Sequence, residues 1–149
     1  MKKHLLVLTL LLAACSNPDY VTRHDVSVYL GQENRPTIKQ VEAWTQSTIN
    51  FWKEKFPCLY GCLTPGTDVF FEDTQELFIH YQGELIQVLG ASNGGTIWIG
   101  NFPDYLDSLF AHEYSHTIFF ACFPSIPGPE HHDYFGELGF NEREVVNEY

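Results

Sequence analysis

The segment His112-Glu113-Tyr114-Ser115-His116 sets two imidazoles four residues apart, with a carboxylate next to the first. On a helix, residues i and i+4 project from one face, about one turn apart. Both rings can then reach a single ion at roughly 2.0–2.1 Å. Glu113 falls on the neighbouring edge of that face, where it can hold a water beside the ion without being a ligand. Hydrolysis of a peptide bond at neutral pH needs these parts. A bound zinc ion lowers the pKa of water to about 7 and polarises a carbonyl, and the carboxylate carries the proton to the leaving amine. An inward helix face without a metal would carry Leu or Ala at positions 112 and 116, because two imidazoles and a carboxylate are costly to bury unpartnered.

The motif needs a helix, and Asp104 to Phe123 provides one, apolar along most of its length and stopped by Pro124. Asp104 is the expected cap, with Asp107 at the third helical position. A first helix is predicted from Thr37, where Gln40 completes a capping-box pattern, to Phe56 before Pro57. Its stripe of Ile38, Val41, Trp44, Thr48, Trp52 and Phe56 is a packing face. Alternation predicts a strand at His24–Leu30 and a hairpin of 76–82 and 84–89 around Gly83; Val69–Phe71 reads as a short strand, and Thr96–Ile99 as a compact one between the Asn93-Gly94-Gly95 turn and Gly100. Ser125 to Gly139 reads as a long Pro/Gly-rich loop, of a length that suggests a functional purpose. Asn141 is placed to cap a last helix, 142–149.

With these elements around it, the motif resembles that of the zincin metallopeptidases, over residues 96 to 149. The resemblance implies zinc held by His112 and His116, Glu113 as general base, and an edge strand, matched to Thr96–Ile99, that aligns a peptide substrate. It also implies a third ligand from downstream. The metzincin positions for a Gly and a third His hold Phe119 and Cys122, so that pattern fails. Glu144-Val145-Val146-Asn147-Glu148-Tyr149 resembles the gluzincin pattern Glu-Gly-x-Ala-x-Tyr in its Glu and Tyr, which makes Glu144 the first choice. Glu137, His131 and His132 are the alternatives, followed by Glu142 and Asp133. Tyr134, Tyr149, His131 and His132 are the available donors for an oxyanion. The expected fold is α+β and zincin-like: a small, mainly antiparallel sheet, a packing helix and the HExxH active-site helix.

Met1-Lys2-Lys3 followed by the apolar run Leu5–Leu12 reads as an export leader, too short to span a membrane. It ends in Leu12-Ala13-Ala14-Cys15, which resembles the bacterial lipobox. The resemblance implies cleavage before Cys15 and lipid on its thiol. The expected organisation is a signal peptide at 1–14, a lipidated Cys and tether at 15–22, and a metallopeptidase domain at 23–149. Ser16, in place of an Asp, favours the outer membrane if the host is Gram-negative. The membrane would be touched through the lipid anchor only.

The 149 residues carry 8 Lys and Arg against 19 Asp and Glu, a net of −11. Loss of Lys2 and Lys3 with the leader makes it −13. That balance argues against nucleic acid and against electrostatic docking on anionic lipid. Hydrophobic residues at 44% and aromatics at 15% exclude a disordered acidic chain. Export implies an oxidising compartment, where Cys58 and Cys62 are spaced for a small disulfide loop and Cys122 is a buried small hydrophobe. The leading expectation is zinc-dependent hydrolysis of a peptide or protein at the cell envelope. The alternative is an envelope lipoprotein that binds metal or protein on a degenerate zincin scaffold, without turnover.

Overall fold

The computed structural model describes residues 17–59 and 61–148. The leader and Cys15 lie outside them, as does Tyr149. The architecture is mixed α+β. Among the described residues, seven strands, β1 (Tyr20–Val21), β2 (Val26–Tyr29), β3 (Thr67–Phe71), β4 (Leu77–Tyr81), β5 (Glu84–Val88), β6 (Gly90–Ser92) and β7 (Thr96–Ile99), join four helices. The helices are α1 (Ile38–Lys55), α2 (Leu106–Cys122), α3 (His131–Glu137) and α4 (Glu142–Glu148).

The main sheet has the order β1-β2-β3-β7-β6, and β4-β5 forms a separate hairpin. β2, β3 and β7 run parallel, while β1, β6 and the hairpin pair antiparallel. The parallel centre has a simple cause. α1 crosses over between β2 and β3, as parallel neighbours require. Every second residue of the central strands (Val26, Val28, Val69, Phe71, Ile97 and Ile99) is buried in the core. The hairpin turns at Gln82 and Gly83, both with positive φ, which the flexible glycine tolerates without strain.

α1 begins as expected. Thr37 Oγ1 accepts from the Gln40 amide and Gln40 Oε1 accepts from the Thr37 amide, closing the capping box. Its buried face centres on Trp52, which has no exposed surface and meets Phe51, Phe56, Phe119, Phe135 and Phe140. The Trp52 indole N–H donates to Ser115 Oγ at 2.8 Å, and that hydroxyl donates to the Ala111 carbonyl. A residue inside the motif thus ties α2 to α1. α2 is buried on nearly all sides, through Phe110, Ala111, Tyr114, Ile118 and Phe119. Between Phe110 and Phe119, His112 is the one residue that is not buried.

Five local expectations change. The fold starts earlier than a tether to residue 22 would allow: Tyr20–Val21 pairs with β2, and Leu30 N–H donates to Asp19 Oδ2. Asp104 does not cap α2 but lies in a 3-10 turn, Pro103–Tyr105, that leads into it. Thr96–Ile99 is flanked by β3 and β6, so the sheet edge is Gly90–Ser92. The region 125–139 is not a loop throughout: a 3-10 turn, Gly128–Glu130, runs into α3. Cys62 pairs with Cys122 rather than Cys58, with Cα atoms 5.1 Å apart, and Cys58 is free and exposed. The bridge fastens the segment after α1 to the last turn of α2, so tertiary packing overrides the short Cys58–Cys62 spacing.

Candidate metal centre

α2 presents His112 and His116 one turn apart, and α3 brings His132 over them. The three Nε2 atoms form a nearly equilateral triangle: 3.2 Å from His112 to His116, 3.2 Å from His112 to His132, and 3.1 Å from His116 to His132. A tetrahedral ion bound at about 2.0–2.1 Å holds its ligand atoms about 3.3 Å apart, so the triangle has the size of three corners of such a site. Three ligands that leave one position open are the arrangement of a catalytic site.

The outer nitrogens of the rings fix which nitrogen faces inward. His112 Nδ1 lies 2.6 Å from Glu142 Oε1, and a carboxylate can only accept, so Nδ1 carries the hydrogen and Nε2 the lone pair. His131, fully buried, lies with Nε2 3.1 Å from the Ile126 carbonyl and Nδ1 3.0 Å from His116 Nδ1. The carbonyl also only accepts, so His131 donates from Nε2 and accepts at Nδ1. His116 therefore donates from Nδ1 and turns its own Nε2 lone pair to the centre. The His132 ring is held by a backbone hydrogen bond with Pro129. Lone pairs that converge in this way repel one another, and a cation relieves them.

Electrostatics follow from the same neighbours. Burial depresses His116 to about 2, and the rings of His112, His132 and His131 add to this, so it is neutral at any ordinary pH. His131 and His132 are lowered, chiefly by burial. Burial also pushes His112 down, but the Glu142 hydrogen bond and the nearby Glu113 and Glu142 charges outweigh it, and the net shift is upward. Glu142 is held below its usual range by the bond from His112. Burial raises Glu113 to about 7, against a smaller pull from His112.

Glu113 is 7% exposed and packs under the edge strand. A Cβ added at Gly90 would lie 3.0 Å from both Cγ and Oε1 of Glu113, and 3.2 Å from the Trp98 carbonyl. Only glycine lets the strand come this near the carboxylate. Ser92 and Thr117 hydroxyls meet at 3.0 Å and pin the same strand to α2. Glu113 and His112 line two clefts that share Val88 and Gly90 as a common wall. One, of about 1200 Å³, runs beneath the β4–β5 hairpin and is lined by all three clustered imidazoles. The other, of about 510 Å³, opens towards Tyr105 and α4.

The structure therefore brings together His112, Glu113 and His116, and adds His132 where the sequence favoured Glu144. Glu144 is exposed on α4 and outside the cluster. Asn141 Oδ1 caps α4 as expected, accepting from the Arg143 and Glu144 amides, and this sets Glu142 against His112. Two residues along a helix are about 200° of rotation, so Glu144 turns away from His112. Glu137 and Asp133 are exposed on α3 and also outside the cluster. His131 and Glu142 lie outside the three-histidine cluster and hydrogen-bond to His116 and His112. Of the expected oxyanion donors, His131 and His132 are thus engaged, and Tyr134 lines neither cleft. His80, Tyr81 and Asn93 are donors on the wall of the larger cleft.

Comparison with known protein families, curated proteins and solved structures finds no match to this chain. Among the described residues, no helix is long and apolar enough to cross a membrane. What is established is a group of three histidines, close enough together to hold a metal ion, with a buried carboxylate beside them.

Proposed function

We propose that the chain is a zinc-dependent metallopeptidase of zincin-like fold, with His112, His116 and His132 as ligands and Glu113 as general base. The observation that carries the reading is the Nε2 triangle, open towards a cleft that Glu113 lines. Three neutral imidazoles suit zinc among the common divalent ions. A zinc ion held there would polarise a scissile carbonyl and make water acidic enough to attack near neutral pH.

The chain supplies the rest. Glu142 and His131 hold the two motif imidazoles in one tautomer and orientation. Glu113, with its carboxyl raised to about 7, is matched to proton transfer at neutral pH. Its carboxylate takes the proton of the attacking water and returns it to the departing amine. The edge strand β6, close above Glu113 because residue 90 is glycine, offers its free backbone edge to an extended peptide. The lipobox resemblance at 12–15 supports an exported, lipid-anchored location for this activity.

The test is elemental analysis beside a digest of a peptide library. The parent should hold one zinc per chain and cleave peptides. Glu113→Ala should keep the zinc and lose cleavage. Equal cleavage by that variant would refute the mechanism. Zinc bound with no cleavage by the parent would favour a metal-binding lipoprotein without turnover.

A further inference from the structure

The two clefts that meet at Glu113 differ in chemistry. The larger is walled mainly by apolar side chains, among them Leu77, Ile79, Ile86, Val88, Trp98 and Phe120. Its only charged carboxylate is Glu113 itself, and it contains no Lys or Arg. The smaller is lined by Tyr105, Ser108, Leu109, Glu142 and Arg143. Arg143 is the only Lys or Arg that lines either cleft, in a chain with eight such residues in all. Its guanidinium lies 5.2 Å from the centre of the Tyr105 ring, a cation–π contact that steadies the side chain without using its hydrogen-bond donors. No carboxylate among the described residues is within ion-pair distance of it. The nearest acid in sequence on the cleft side, Glu142, already accepts from His112.

Building on the peptidase reading, we propose that the site selects peptides by polarity. An apolar segment lies under the β4–β5 hairpin on one side of the scissile bond, and a carboxylate reaches Arg143 on the other. A planar guanidinium with free donors matches a carboxylate in bidentate fashion. The acidic surround, a net charge of −11, works against acidic segments over the rest of the surface, so the preference has to come from Arg143 itself. The carboxylate belongs either to an Asp or Glu side chain or to a free C-terminus, and both present the same group.

The test uses the zinc-loaded chain with internally quenched peptides that share a Leu-Phe core and are flanked, in either order, by Asp or by Lys. Each is made with a free and with an amidated C-terminus. The parent should cleave the Asp peptides about five- to tenfold more efficiently than the Lys peptides. Arg143→Ala should bring the two to parity, and Arg143→Glu should reverse the order, with zinc content unchanged in both. If the carboxylate is a side chain, the preference for Asp persists on amidation; if it is the C-terminus, Asp and Lys peptides with a free C-terminus are cleaved alike and amidation lowers both, an effect that Arg143→Ala abolishes.

A second arm measures fluorescence anisotropy of the same peptides, labelled and uncleaved, on zinc-loaded Glu113→Ala. The same order of affinities is expected. Binding that neither an Asp-for-Lys exchange nor amidation changes, or an order that Arg143→Glu leaves unchanged, overturns the proposal and leaves the peptidase reading standing. Ordered binding with no hydrolysis by the parent overturns the peptidase reading and leaves the carboxylate site standing.

Discussion

Replacing His131 by Phe should separate two hydrogen bonds that the structure joins in one buried ring. His131 donates to the Ile126 carbonyl at 3.1 Å and accepts from His116 Nδ1 at 3.0 Å, while packed against Phe119 and Phe120. Phe keeps most of the volume and the ring contacts, and removes both polar partners. The Ile126 carbonyl is then unpaired with or without metal, so the metal-free domain should lose about 1–3 kcal/mol of stability. His116 behaves differently. Without metal it can shift its hydrogen to Nε2 and leave Nδ1 bare, which avoids a buried, unpaired donor. With metal, Nε2 must present its lone pair, so Nδ1–H is forced into an apolar wall. That cost, again about 1–3 kcal/mol, falls on the loaded state alone and weakens metal affinity by about 5- to 150-fold. His131→Gln should recover most of the loss, because its amide can donate to Ile126 and accept from His116. Competition against a chromophoric chelator reads the affinity, and melting of the metal-free protein reads the stability. Zinc affinity of His131→Phe within twofold of the parent would refute the tautomer argument, whatever happened to the melting temperature.

Four further outcomes are expected. Glu142→Ala should weaken zinc binding about 10- to 100-fold, whereas Glu144→Ala, two residues on, should leave it unchanged; chelator competition distinguishes them. Glu113 has a carboxyl raised from 4.5 to about 7 in the fold, so the folded state keeps a proton that the unfolded chain has lost between those values. Its contribution is absent below about pH 4.5 and costs about 3 kcal/mol above pH 7, so metal-free Glu113→Gln should be more stable than the parent at pH 8 and equal to it at pH 4 by denaturant titration. Gly90→Ala should displace Glu113 or lift the edge strand, lowering kcat at least tenfold with zinc content unaltered. Alkylation and peptide mapping should find Cys58 free and Cys62 bridged to Cys122, and reduction of that 60-residue loop should cost up to about 4 kcal/mol in denaturant titrations.

The parts of this molecule that were legible in the sequence are those whose signals are local. Thr37 and Gln40 close their capping box within three residues, and Thr96–Ile99 forms its strand with the bounds that the Asn93-Gly94-Gly95 turn and Gly100 set. His112, Glu113 and His116 depend only on helical spacing, and α2 carries apolar residues along most of its length. The edge strand is different. Gly90, Ala91 and Ser92 have little strand propensity of their own, and they pair because β7 offers a ladder and Glu113 needs a glycine above it. The disulfide is different for a related reason: the spacing of Cys58 and Cys62 is visible in the chain, whereas the approach of Cys122 exists only once α2 has packed on α1.

The third histidine of the cluster shows most clearly what local reading loses. The segment before His132 is Pro124-Ser125-Ile126-Pro127-Gly128-Pro129, which by composition predicts irregular chain, and α3 beyond it is only seven residues long. An isolated helix of that length does not form in water. It forms here because His131 and Phe135, on one side of it, are buried against α2, and this leaves His132, one position on, facing the metal site. Glu144 had the better sequence pattern but belongs to a helix whose Asn141 cap turns Glu142 inward instead. Both acidic and imidazole candidates downstream of the motif were therefore visible as residues, and the choice among them was made by helix phase. Phase is set by what each short helix buries, here Phe135 on α3 and Val145 on α4, so the make-up of the histidine cluster follows from the core rather than from the motif.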